Sequence, residues 1–281
     1  MKVMHHNMSG YIPSPIDERD YKINRLVKNA PHLPDTYLTK VPLEIFDQED
    51  SNMCVGCAIA TMKHVIESRQ TGDNEPFSPA YIYANRRHDD YQGEGMVPRE
   101  ALKNLQNYGI CHLYYFPGNY TYFNAQKYYA LAKPRLDEKA RPYRISSYYR
   151  LNSTSDIKTA IYTLGCAMVA YDVYECLFNP RSDGVVEYNE NTRGECQGGH
   201  QMLAIGYNEI GFIVVNSWST DYGIGNEELG IDGGLVIIPY DYKPTESWAV
   251  VDDITEKEVK ALYGPRKISI FKKITGLFTK K

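Results

Sequence analysis

Asp47-Gln48-Glu49-Asp50-Ser51-Asn52-Met53-Cys54-Val55-Gly56-Cys57-Ala58-Ile59-Ala60 is the stretch that decides the fold. A short polar loop runs into a helix. From Ala58 onward, Ala58, Ile59, Met62, Val65 and Ile66 recur with a period of about 3.6 residues, so the spacing predicts one buried face. Thr71-Gly72-Asp73-Asn74 ends the helix. Cys57 then falls in the first turn, where unpaired N–H groups and the positive end of the helix dipole point at its sulfur. That placement favours the thiolate, the reactive form of a cysteine. Two plainer roles stand beside it: a small apolar residue opening a buried helix, or half of a Cys-x-x-Cys pair with Cys54.

The downstream half bears on that choice. Gly198-Gly199-His200 opens a run, Gln201 to Tyr207, that reads as a strand. Asn208-Glu209-Ile210-Gly211 reads as a turn, and Phe212 to Val215 as the return strand, ending in Asn216-Ser217-Trp218. A hairpin brings its two ends together, so His200 and Asn216 are expected to be neighbours. They follow Cys57 by roughly 143 and 159 positions, close to the order and spacing Cys, His, Asn of one class of thiol hydrolases.

Gln48, Cys54-Val55-Gly56-Cys57, Gly198-Gly199-His200 and Asn216-Ser217-Trp218 match, in order, the four motif blocks of the papain-like cysteine peptidases, which the chain resembles over roughly residues 42–245. Phe77-Ser78-Pro79-Ala80-Tyr81-Ile82-Tyr83 also resembles the helix that follows the family's central one. The resemblance implies an α+β fold of two subdomains, a helical first half and a β-rich second half, with the cleft between them. It also implies peptide-bond hydrolysis through Cys57, His200 and Asn216. Gln48 and the backbone N–H of Cys57 would form the oxyanion hole, Trp218 would shield the Asn–His contact, and Gly198 and Gly199 would admit the substrate backbone. There are departures. Ala58 stands where an aromatic residue usually follows the nucleophile, and Gln48 precedes Cys57 by more positions than is usual. Ser219-Thr220-Asp221-Tyr222-Gly223 and a polar insertion reaching Gly233-Gly234 replace the usual continuation after Trp218.

The rest of the chain bounds the reading. With 281 residues and 43% hydrophobic content, it can bury a substantial core. A net charge of −4 carries no global signal for nucleic acid. No secretory signal and no membrane-spanning run are seen, so a soluble, cytoplasmic monomer acting on peptide or protein substrates is the expectation. Residues 1–41 form a proline-punctuated arm, either a cover for the cleft or a structural strap. Residues 42–145 form the helical subdomain, with helices over Pro98–Tyr108 and around Asn124–Ala132 and an N-cap at Ser78. Residues 146–253 form the β-rich subdomain, with Ser155 capping a helix to Leu164. Residues 254–281 are a basic amphipathic tail, docked on the body, disordered, or lying on a membrane surface.

Peptide cleavage by a thiol needs no metal and no organic cofactor. Other readings stay open. One is a catalytically inactive papain-fold binding or scaffold protein. A second is zinc held by Cys54, Cys57, Cys196 and His200. A third is a redox Cys-x-x-Cys. The family resemblance also implies that Cys54 can enter a disulfide, with Cys111 as the nearest partner in the first half.

Overall fold

The computed structural model describes residues 10–27, 32–86, 94–118 and 122–252. The helices of the first half are α1 (Cys54–Thr71), α2 (Pro79–Ala84), α3 (Pro98–Tyr108) and α4 (Tyr122–Ala140). The second half adds α5 (Thr154–Leu164) and the short α6 (Glu175–Phe178). Its strands are β2 (Ile145–Arg150), β3 (Ala167–Asp172), β4 (Gly199–Tyr207), β5 (Gly211–Val215), β6 (Ile224–Asn226), β7 (Ile231–Pro239) and β8 (Glu246–Asp252). They form an antiparallel sheet in the order β2-β8-β3-β4-β5-β7-β6, and the two-residue β1 (Tyr37–Leu38) pairs with the end of β4.

The central strands are buried on both faces. Met168 and Ala170 of β3, with Leu203 and Ile205 of β4, turn toward α1 and the other first-half helices. Ala167, Val169 and Tyr171, with Met202 and Ala204, turn toward α5. A two-residue side-chain period across two apolar layers explains why β3 reads as a continuous apolar run. The sequence predicts one buried face for α1, whereas residues 54–67 are buried all round, because the helix is enclosed by α2, α3 and the sheet. Gly72, with φ of 76°, closes it.

Most local signals act as read. The Ser78 hydroxyl accepts from the Tyr81 N–H, with Pro79 at the first helical position. α3 spans Pro98–Tyr108 and stops at Gly109. Three expectations need correction. α5 is capped by Ser153, not Ser155, through a bond from the Asp156 N–H, and begins at Thr154. α4 begins close to the expected start but runs on past Ala132 to Ala140. The stretch read as a polar insertion before Gly233-Gly234 is β6 and the start of β7, tied to the sheet by their mutual pairing. No helix among the described residues is long and apolar enough to cross a membrane. The basic tail lies outside the described residues.

One ionic cluster joins the halves. Lys63 of α1 is fully buried and donates to Glu67 at 2.6 Å and to Asp252, at the end of β8, at 2.7 Å. Removing the cation takes from Glu67 and Asp252 the buried donor they share. Lys63→Ala is therefore expected to lower the unfolding free energy by about 3–5 kcal/mol, measured by denaturant titration. A change below about 0.5 kcal/mol would show the cluster to be solvated.

Candidate active site

α1 begins at Cys54, three residues before the cysteine that the periodicity selects. Met53, the residue before it, offers no side-chain cap. The first helical N–H groups therefore have other partners: those of Cys54 and Val55 donate to the Cys54 sulfur, as does the Gln201 N–H of β4. Gln201 follows His200, so the strand start that carries His200 crosses the helix start that carries Cys54.

Cys57 sits elsewhere. Its N–H donates to Met53 O at 2.8 Å as an ordinary helical bond, so it is not available to an oxyanion. Its sulfur faces the Ser217 hydroxyl, in the buried seam between α1, β4 and β5. Burial pushes the Cys57 thiol up, opposite to the expected activation, as it also does for Cys54. The helix-start position expected for Cys57 is thus held by Cys54, whose sulfur takes the first-turn N–H groups. The sequence carried one signal for this: the pattern Gln48-x5-Cys54 is shorter than Gln48-x8-Cys57, the spacing noted above as long.

His200 and Asn216 meet as the hairpin requires. His200 Nε2 lies 2.7 Å from Asn216 Oδ1, with both residues buried. The Ser217 backbone N–H also donates to Asn216 Oδ1 at 2.7 Å. A backbone N–H can only donate, so it identifies Oδ1 as the oxygen of the amide. His200 Nε2 must then carry the proton, leaving Nδ1 as the basic nitrogen. Trp218 stacks on the imidazole at 4.8 Å between centroids, and Phe178 stacks on Trp218.

Gln48 is held by the same segment. Its Oε1 accepts from the Ser217 hydroxyl at 2.7 Å, its Nε2 donates to Ser51 O at 3.0 Å, and its backbone N–H donates to Ser217 O. Ser217 therefore orients both amides of the site, a role the sequence reading did not assign. All six cysteines are free thiols, including Cys54 and Cys111. Among the described residues, no three His, Cys, Asp or Glu side chains gather into a metal-binding cluster.

The arm lies over the sulfur. Gly10 is buried against α1: a Cβ there would stand 2.7 Å from Cys54 Sγ and 2.9 Å from Asn52 O. Met96 N–H donates to Gly10 O and Ile12 N–H to Met96 O, both at 2.9 Å, a parallel bridge that fixes the crossing. The Tyr11 ring covers Gly199, with its Cδ1 2.5 Å from where a Cβ would sit. Further along, Asp20 accepts from Arg99 of α3 at 2.6 Å, and the Arg150 N–H of β2 donates to Tyr21 O.

The Cys54 thiol beneath the arm is fully buried. Burial pushes Cys54 from an ordinary 9.0 up to about 12, and the three N–H groups offset only part of it. The covered state holds its proton where an uncovered thiol would lose it. Rising pH therefore weakens the docking of the arm, from the uncovered thiol's pKa up to about 12. Alkylation of Cys54, followed by peptide mapping, is expected to be slow at neutral pH and to climb through the alkaline range. Gly10→Val, which forces the arm off the sulfur, should move the inflection to lower pH. An unchanged profile would mean that the arm does not cover the thiol in solution.

The comparisons with known proteins agree with this architecture. The model of the papain family cysteine proteases matches residues 40–226. No curated protein matches the chain. Among solved structures, xylellain, a cysteine protease from Xylella fastidiosa, superposes with a TM-score of 0.71 at 20% identity, covering 90% of this chain and 99% of that one. Procathepsin B S9 from Trypanosoma congolense gives 0.66 at 18% identity, covering 88% and 87%. Digestive procathepsin L 3 of the Tenebrio molitor larval midgut gives 0.61 at 16% identity, covering 88% and 76%. The matched family model spans well over half of the chain, through the helix start, the His–Asn hairpin and the fold that joins them, and the chain belongs to the papain family of cysteine proteases.

Proposed function

We propose that the protein hydrolyses peptide bonds with Cys54 as the nucleophile, and that its own N-terminal arm occupies the cleft until displaced. The observation that carries this is the position of the Cys54 sulfur. It lies at the first residue of α1, receives the N–H groups of Cys54, Val55 and Gln201, and is met by β4, the strand bearing His200, which bonds Asn216 at the end of β5.

The roles follow from the donor and acceptor inventory. With Nε2–H bound to Asn216, His200 Nδ1 takes the thiol proton as the sulfur attacks the substrate carbonyl. The oxyanion receives the N–H of Cys54 and the second hydrogen of the Gln48 amide, whose first goes to Ser51 O. Collapse breaks the C–N bond, and the amine leaves with the proton from Nδ1. Water then gives a proton to Nδ1 and attacks the thioester, and the thiol recovers its proton as the acid departs. Asn216 keeps the imidazole in the needed tautomer, and Trp218 excludes water from that contact. The substrate is a peptide or protein segment able to lie extended where residues 10–12 lie.

Cys54→Ala is expected to abolish hydrolysis of fluorogenic peptides, and Cys57→Ala to retain most of it. His200→Ala should cost about a thousandfold or more. Loss of turnover in Cys57→Ala with full activity in Cys54→Ala, both folded by circular dichroism, would reverse the assignment. Turnover in none of the proteins, the native chain and Gly10→Val included, would favour the non-catalytic binding protein.

The arm supplies a second test. Tethered a short distance from its site, it competes at high effective concentration. Gly10→Val should therefore raise activity on small peptides in the full chain, with the count of titratable sites unchanged. Equal rates would leave the arm as a strap.

A further inference from the structure

Tyr222 lies in the stretch that replaces the usual continuation after Trp218, and it takes no part in the reaction steps proposed so far. It is buried, and its ring stands nearly perpendicular to that of Trp218, 5.0 Å away between centroids. Its hydroxyl donates to Leu177 O of α6 at 2.5 Å. Gly234 of β7 holds its backbone. The Gly234 N–H donates to Tyr222 O at 2.6 Å, and Gly234 O accepts from the Asn216 N–H at 2.9 Å. One residue thus fixes Tyr222 and Asn216 relative to each other. Gly234 makes this clamp at a φ of 94°, where a Cβ would also stand 2.6 Å from the Ile45 side chain.

Two hydrogen assignments meet at this phenol. A backbone carbonyl can only accept, so the Tyr222 hydrogen points at Leu177 O, and the oxygen is left as an acceptor. Asn216 Oδ1 is fixed by the Ser217 N–H, so the other end of that amide, Nδ2, is the donor. Nδ2 is buried and short of full hydrogen-bond geometry with any partner. The Tyr222 hydroxyl faces the same amide. An acceptor whose own hydrogen is committed elsewhere therefore stands beside a buried donor that lacks one.

We propose that Tyr222 is a positioning residue for the reaction: its oxygen takes the Asn216 Nδ2–H, so that Leu177 O, the phenol, the amide and the imidazole form one directional chain ending at His200 Nε2. This deepens the peptidase reading, and its kinetic consequence rests on that reading. Every hydrogen in the chain points toward α6. Turning the Asn216 amide over would set Oδ1 against the phenol oxygen and Nδ2 against the Ser217 N–H, a loss at both ends. When His200 takes the thiol proton, Nε2–H becomes a stronger donor. Asn216 Oδ1 accepts from it better while Nδ2 is itself donating, because linked hydrogen bonds polarise one another. A long contact in the arm-covered state fits this role, since the hydrogen bonds of a site often tighten only once substrate is bound.

Tyr222→Phe keeps the ring against Trp218 and removes only the oxygen. In the full chain carrying Gly10→Val, to free the cleft, kcat on a fluorogenic peptide should fall about five- to tenfold with KM unchanged. In the Asn216→Ala background the same change should cost no more than about twofold, because the phenol acts through the amide. A spectroscopic reading needs no turnover. In the chain carrying Cys54→Ala and Gly10→Val, labelled with nitrogen-15 histidine, the His200 Nε2–H resonance should move upfield on Tyr222→Phe, as the Oδ1 acceptor weakens. Site-specific 3-fluorotyrosine at position 222, whose oxygen is a poorer acceptor, should move it less and in the same direction. That variant covers the case in which Tyr222→Phe does not fold. An unmoved resonance, a full kinetic loss that persists beside Asn216→Ala, or a rise in KM at constant kcat would each overturn the proposal. Absence of hydrolysis in every chain beside a moved resonance would count against the peptidase reading and not against the role of Tyr222.

Discussion

The sulfur of Cys54 joins two elements that share no sequence neighbourhood. It takes N–H groups from the first turn of α1 and from the Gln201 backbone of β4. Both sets of donors exist because regular structure stops there. The helix has no earlier carbonyl for its first amides, and β4 has just begun. A thiol is the side chain that can sit between them and accept weakly from both. Around this junction the remaining contacts arrange themselves: the segment 216–219 pairs with residues 46–48 and holds both Gln48 and His200.

Ser217 is the economical part of that arrangement. Its backbone N–H orients the Asn216 amide, and its hydroxyl orients the Gln48 amide. A side-chain amide has two faces that differ only in which atom donates, and a wrong flip of Asn216 would leave Nε2 without its acceptor. Fixing both amides from one residue removes that ambiguity without requiring either to be buried by bulk alone.

The hairpin of β4 and β5 was legible because its register is short-range: a turn at Asn208 to Gly211 forces residues at its two ends together. α3 was legible for a similar reason, with a proline at its start and a glycine after its end. The start of α1 was not. Periodicity reports a helix only where one face differs from the other, and α1 is buried on every side through its first turns. The apolar rhythm therefore becomes visible only after Cys57, and Met53 gives no capping signal to correct it. The cover of the cleft was likewise suggested by the prolines of the arm. Its contact at Gly10 depends on a close approach in three dimensions that a lone glycine does not announce. Ser217 passed unnoticed because a serine beside a recognised asparagine looks like filler.

The pairing of Tyr37 and Leu38 with the far end of β4 has a kinetic meaning. It anchors the arm to the body some distance from the sulfur, so on the function proposed above residues 10–27 would leave and return on a leash that ends at β4. Closing is then a unimolecular event. Its rate does not depend on how much protein is present, and dilution does not open the site. A cut anywhere between Val27 and Tyr37 changes the order of the reaction. The freed segment becomes an ordinary ligand whose hold falls with its concentration, so a single cleavage turns a standing equilibrium into a departure.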